Sequence, residues 1–297
     1  MILVVGGTGR LGRLVVSELA ARDQVRVLSR HSTATGPPRD GSAELVDGDI
    51  RDSATVASAA QGVSCIVIAS HGVASRERDG LETVDMLGAR AVACAAREVG
   101  CSIVLVSMLG AAPNAALPLA QAKWAAEQVI REAGSPWTIV RASAFAQTWA
   151  MILTLSAGRS GRPAIIGPGT AEHRFVDVRD VASVVARAAT DDSLRGRTLA
   201  LCGPADLTVS QLATMVQEAN SWTGRPRHLP LGFARAIERC LNLFRPDLAR
   251  RVSIGIAMNY PQPADDSEVE APSWIVMRPI TPDAMYAESE ASTSPAP

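Results

Sequence analysis

The chain begins with an order of residues that few folds accommodate. Ile2-Leu3-Val4-Val5 runs into Gly6-Gly7-Thr8-Gly9-Arg10-Leu11-Gly12, and then into Leu14-Val15-Val16-Ser17-Glu18-Leu19. A short apolar run, a glycine-rich turn and an amphipathic stretch predict strand, tight turn and helix. The glycines let the backbone approach a pyrophosphate, and the helix start offers it free N–H groups and the positive end of a dipole. Gly12 lets the helix pack closely on the strand. Gly6, Thr8, Gly9, Arg10, Leu11 and Gly12 are therefore candidate dinucleotide-binding residues.

The same alternation continues. Apolar runs at 1–5, 24–29, 43–47, 64–69, 101–107 and 136–141 read as buried parallel strands. Helical stretches fall near 10–22, 53–61, 80–99 and 118–133. The expected fold class is α/β, a Rossmann-type doubly wound parallel sheet with a small C-terminal substrate lobe. The core is expected over 1–145 and a mixed α/β lobe packed on it over 146–260, followed by a tail over 261–297. In the lobe, helices are expected near 144–157, to about 190, over 207–220 and over 230–251. Strands are expected at Arg174 to Val178 and Thr198 to Leu201. From Pro261 onward the chain holds seven prolines, seven acids and one base, Arg278. Such a stretch is expected to be disordered or draped over the surface, with Trp274 to Met277 as its docking segment. A cut after Tyr260 is then expected to leave a folded protein.

Composition narrows the function. A net charge of −1 points to neither nucleic acid nor an anionic membrane. Cys65, Cys94, Cys101, Cys202 and Cys240 form no CxxC pair, so no metal site or disulfide framework is expected. No apolar run reaches the length of a membrane span, and Met1 opens on a strand rather than a basic leader. A cytoplasmic protein is expected.

Cofactor choice is read from the end of the second strand. An acid there would bind the ribose 2′-hydroxyl of NAD and repel a 2′-phosphate. The chain instead has Leu28-Ser29-Arg30-His31. Arg30 can hold a phosphate through charge-assisted bonds, Ser29 can add a hydroxyl, and Arg10 is near enough to help. NADP(H) is expected in preference to NAD(H).

On these segments the chain resembles the atypical short-chain dehydrogenase/reductases, specifically the NmrA-like group, over about residues 1–220. The glycine motif carries the likeness. So do Val46-Asp47-Gly48-Asp49-Ile50-Arg51-Asp52, Ile68-Ala69-Ser70-His71-Gly72, Val106-Ser107-Met108-Leu109-Gly110-Ala111, Thr138-Ile139-Val140-Arg141-Ala142 and Phe175-Val176-Asp177-Val178-Arg179-Asp180. The resemblance implies that Asp49 and Ile50 lie against the adenine, and that Ala69, Ser70, His71 and Arg141 line the cofactor. Ala142 stands where the group usually has proline. Ser107 is implied as a donor to substrate, or as a strand-end cap. His71 reads as a proton donor or a solvated loop histidine. Phe145, Trp149 and Met151 read as an apolar pocket or as core. Asp177 and Asp180 are expected to fix loops.

The catalytic members of the superfamily carry a Tyr four residues before a Lys on the helix after the fifth strand. Here the Lys is Lys123, but the Tyr position is Leu119, and the chain's tyrosines are Tyr260 and Tyr286. Lys123 is also the one lysine among 29 basic residues. In so Arg-rich a chain a surface cation would be Arg, so Lys123 is read as kept for its compact ammonium, to bind the nicotinamide ribose. Two functions remain open. One is an NADPH-dependent reductase of a quinone-like or conjugated apolar acceptor, with Lys123 and Ser107 as its catalytic candidates. The other is a non-catalytic NADP(H)-sensing regulator or assembly factor with a protein partner.

Overall fold

A computed structural model describes residues 1–30, 43–261 and 272–286. His31 and the remainder of the expected tail lie outside them. Two units are resolved by backbone contact. The first comprises Met1–Ala142, Arg179–Leu201 and Asp265–Ile275; the second Ser143–Val178, Cys202–Ala264 and Val276–Pro297.

The first unit holds the sheet. Its strands are β1 (Ile2–Val5), β2 (Val25–Ser29), β3 (Ala43–Asp47), β4 (Cys65–Ile68), β5 (Ser102–Met108) and β6 (Trp137–Ala142). Numbering in chain order, Arg197–Leu201 is β9. They pair in the order β3-β2-β1-β4-β5-β6-β9, every pair parallel. β1 and β4 are buried at every position, as strands covered on both faces must be. β1 lies between β2 and β4, where the winding reverses, and ligands bind outside the strand ends at such a point. The helices Arg10–Ala20, Ser53–Ala59, Gly88–Val99 and Pro118–Arg131 cover the sheet. Gly88–Val99 shows how. Ala89, Val92, Ala93 and Ala96 recur on one face and are buried in a core with Leu3, Ile66, Ile103 and Ile139. Each such Leu or Ile contributes roughly 1.5–3 kcal/mol by leaving water.

The expected strands of this unit lie within a residue or so of their places. The expected helix over 80–99 starts differently, because Glu82–Leu87 is a π-helix that becomes α-helical at Gly88. β9, expected in the lobe, instead completes the main sheet beside β6.

The second unit is built around helices Ala146–Ala157 and Val209–Ala219, whose Trp149, Ala150, Leu153, Leu212, Ala213 and Val216 share a core with Ile165 and Phe175. Two small sheets complete it. β7 (Ala164–Ile166) pairs with β11 (Arg227–Leu229), and β8 (Glu172–His173) with β10 (Leu207–Thr208). The expected strand over 174–178 does not form. Phe175, Val176 and Asp177 are all fully buried, but Val176 alone of them makes a bridge, so no ladder is built. Val176 bridges Phe145, and the Val178 N–H donates to Gln147 Oε1 at 3.1 Å as a helix begins. The expected helix over 230–251 is two, Leu231–Phe244 and Pro246–Ala257. Pro246 disfavours α geometry at Arg245, whose φ of −139° and ψ of 69° break the chain direction.

The tail expectation is corrected over its described part. Val276 is 92% exposed, whereas Met285 is 3% exposed within the second unit's core. Tyr286 shares a 2.6 Å hydrogen bond with Thr154 Oγ1 and accepts another from Asn220 at 3.0 Å. Trp274 does dock, with the Arg187 guanidinium 4.0 Å over its ring; Met285-Tyr286 is a further anchor, and a cut after Tyr260 removes part of a core. Among the described residues no helix is long and apolar enough to cross a membrane. All five cysteines are free, and burial pushes the Cys101 thiol up to about 11.

Candidate dinucleotide site

The glycine loop follows β1 at the strand-end edge of the sheet. Gly6 holds a φ of +82°, which favours glycine. A Cβ on Gly12 would stand 2.1 Å from the Gly6 carbonyl oxygen, so helix and loop meet at a distance only glycine permits. Helix Arg10–Ala20 starts at Gly9 with no side-chain cap and no acid in its first turn. Elsewhere caps are present: Asp52 accepts from the Ala54 N–H, and Thr208 forms a capping box with Gln211. Helices Pro118–Arg131, Ala146–Ala157 and Leu231–Phe244 also start without a side-chain cap, but the open start at Gly9 directly follows the glycine loop at the end of β1. Beside it, the buried Ser70 Oγ has no hydrogen-bond partner, and its Cβ lies 3.1 Å from where a Gly6 Cβ would be. An open helix start and an orphaned hydroxyl fit a pyrophosphate-bearing ligand.

The neighbouring strand ends join this edge. Thr8 and Ser29 hydroxyls share a hydrogen bond of 2.8 Å, tying the loop to the end of β2. Arg30 is exposed and lies close enough to Asp49 to act on its charge. Asp49 accepts from the Arg51 backbone N–H at 3.0 Å and from its guanidinium at 3.0 and 2.8 Å. Partial burial, the largest influence, raises the Asp49 pKa. The Arg51 bonds and the charges of Arg51 and Arg30 together outweigh it and hold the carboxyl below its ordinary range. Arg51 also pairs with Glu77. Ile50 is buried in the core against Gly88, with its backbone carrying the loop. Leu11 is buried as well, and His71 is exposed.

Lys123 is 7% exposed and meets a residue that the sequence reading missed. Its Nζ lies 2.9 Å from Asp85 Oδ1 and donates to the Ser70 carbonyl at 3.1 Å. Asp85, on the π-helix, also accepts the Gly72 N–H at 2.8 Å. The pair therefore fastens the Ser70-His71-Gly72 loop. Asp85 was detectable: it continues the buried stripe of Ala89, Val92, Ala93 and Ala96, and a carboxylate there needs a partner.

Two further candidates are placed differently from expectation. Ser107 donates to Glu127 Oε1 at 2.6 Å, so its proton is committed within the protein. Arg141 is not open to a cofactor through its fork, because Nε and Nη2 grip Glu127 at 2.9 and 2.8 Å. Arg131 adds a bond to Glu127 at 3.1 Å and another to Thr198 Oγ1 at 2.9 Å. Glu127, fully buried, is the second residue missed. In the second unit Trp149 packs edge-on to Phe175 with centroids 6.5 Å apart and is core rather than pocket lining. Phe145 is half-buried and caps that helix, while Met151 is 41% exposed. Asp177 and Asp180 are buried.

The NAD(P)H-binding family model matches residues 6–192. The chain is 30% identical over 253 residues to the (4-alkanoyl-5-oxo-2,5-dihydrofuran-3-yl)methyl phosphate reductase of Streptomyces griseus, covering 84% of this chain and 83% of that protein. It is 23% identical to a photosystem II assembly factor of Trieres chinensis, covering 82% and 76%. Its fold matches a triphenylmethane reductase of Citrobacter sp. with a TM-score of 0.72 at 20% identity, covering 97% of this chain and 99% of that one. With this sheet order and glycine cradle, the chain belongs to the NAD(P)H-binding family and has the Rossmann-type fold of the NmrA-like atypical short-chain dehydrogenase/reductases.

Proposed function

We propose that the chain is an NADPH-dependent reductase of a quinone-like or otherwise conjugated apolar acceptor. One observation carries the reading: the helix that should supply an acid has Leu119 at that place, while Lys123 one turn on is held by Asp85. A reduced nicotinamide, when bound, supplies a hydride. A conjugated acceptor takes it with a proton from water, so positioning suffices and no tyrosine is needed. The open helix start and Gly6–Gly12 would seat the pyrophosphate, Arg30 and Arg10 a 2′-phosphate, and Lys123 the ribose hydroxyls. The absence of a carboxylate at Ser29-Arg30 supports NADPH over NADH. The reductase relative and the triphenylmethane reductase support the reaction class.

Titration with NADPH and NADH, followed by oxidation of NADPH against quinones, azo dyes and conjugated lactones, tests this. Tighter NADPH binding with turnover of at least one acceptor is expected. Binding without turnover of any acceptor would favour the second reading, a non-catalytic NADP(H)-binding regulator or assembly factor, which Leu119 and the assembly-factor relative also fit.

A further inference from the structure

Two of the chain's four phenylalanines are exposed, and both lie on helix Leu231–Phe244: Phe233 is 59% exposed and Phe244 82%. At 3.6 residues per turn, Phe233, Ala236, Ile237, Cys240, Leu243 and Phe244 fall within an arc of roughly 120°. Ala234, the helix's buried residue, points away from that arc. An apolar stripe left outward along a whole helix is not explained by this unit's own core.

The charges beside the stripe have one sign. Residues 231–257 carry five arginines against Glu238 and Asp247, in a chain whose net charge is −1. Asp247 is buried and paired with Arg245 at 3.0 Å. Glu238 is half-buried and lies on the side of the helix opposite Leu243. Arg235, Arg239 and Arg251 are exposed; Arg239 borders the stripe, whereas Arg235, which donates to the Tyr260 hydroxyl at 2.7 Å, lies with Glu238 on the far side of the helix. Outward apolar rings flanked by outward cations make an interfacial helix. Pairing the stripe with a second copy of the chain would set arginine flanks against a face whose outward charges are also positive.

We propose that helix Leu231–Phe244 docks the second unit on an anionic lipid surface, with Phe233 and Phe244 entering the headgroup–acyl boundary and Arg239 and Arg251 facing headgroup phosphates. The test is sedimentation of the full chain with vesicles of phosphatidylcholine alone and of phosphatidylcholine with phosphatidylglycerol. Binding to the anionic vesicles should exceed that to neutral ones by roughly tenfold and weaken with salt. F233S/F244S should lose about tenfold of it with an unchanged melting temperature, and R239Q/R251Q should abolish the preference for anionic lipid. Equal pelleting of wild type and both variants would overturn the proposal. So would light-scattering masses showing a dimer that F233S/F244S dissociates, because the stripe would then belong to a second copy. Should F233S/F244S melt early, R239Q/R251Q decides alone.

Discussion

Helix Pro118–Arg131 sends two charged side chains inward one turn apart, and their surroundings differ in a way that separates scaffold from site. Glu127 receives four hydrogen bonds, from Ser107, from Arg141 twice and from Arg131. A carboxylate has about four lone-pair positions, so this one is saturated. It clamps β5, β6 and the helix together, and Arg131 extends the clamp to Thr198 on β9. Lys123 is ion-paired with Asp85 and donates to the Ser70 carbonyl, while Asp85 Oδ1 and the Ser70 hydroxyl have no hydrogen-bond partner. The carboxylate of the first cluster has no lone pair left for a ligand. The second keeps unmatched polar atoms in reserve next to the glycine loop. Burial and a formal charge therefore do not fix a role; the remaining hydrogen-bonding capacity tells the two apart.

The largest expected effect is on the saturated side. Glu127→Gln leaves two guanidiniums facing an amide and should cost about 3–5 kcal/mol of stability in urea unfolding. NADPH affinity of the folded fraction should stay within about twofold. A variant that unfolds like the wild type but binds NADPH poorly would reverse the assignment. Next comes Lys123→Met, which strands Asp85 without its counter-charge. A loss of about 2–3 kcal/mol of stability is expected, together with weaker NADPH binding by calorimetry. Lys123→Arg sharpens the contrast: it should spare most of the stability and still weaken binding, because a planar fork does not reproduce a compact ammonium. Undiminished affinity in both would place the ribose elsewhere.

Arg30→Ala, at an exposed site, should leave unfolding unchanged and weaken NADPH by roughly 1.5–3 kcal/mol while sparing NADH. Equal losses for both cofactors would remove the 2′-phosphate from its role. The smallest effect is acidic. Asp49 has a depressed folded pKa, so its contribution is present above the ordinary value of 3.8 and is lost as pH falls from there through the folded value. Asp49→Asn should flatten the stability profile in that window alone, as followed by urea midpoints.

Much of the first unit was legible because parallel strands buried on both faces must be continuously apolar, as Ile2–Val5 and Cys65–Ile68 are. The glycine loop was legible because its chemistry is local. What escaped depends on distant partners. Thr198–Leu201 reads as a strand, but nothing local says that it pairs with β6. Ser107 and Arg141 read as site residues because their partner, Glu127, lies on another element. The composition of the tail pointed to disorder, and a single buried methionine, Met285, was enough to tie one stretch of it into the second unit's core. Asp85 and Glu127 stood on apolar stripes in plain view, and the signal was the need of a buried carboxylate for a partner.

The pairing of β9 with β6 also governs the order in which the chain can finish folding. Ala142 aligns with Leu201, and the segment Ser143–Val178 between them belongs to the other unit. As the chain leaves the ribosome, the sheet keeps an unsatisfied edge at β6 until Leu201 has emerged, and closing it requires a contact of long sequence separation. The second unit waits longer still, for Met285. A pause in synthesis between Ala142 and Arg197 would hold a six-stranded sheet with β6, an internal strand of the finished fold, exposed as an edge that can pair with a neighbour.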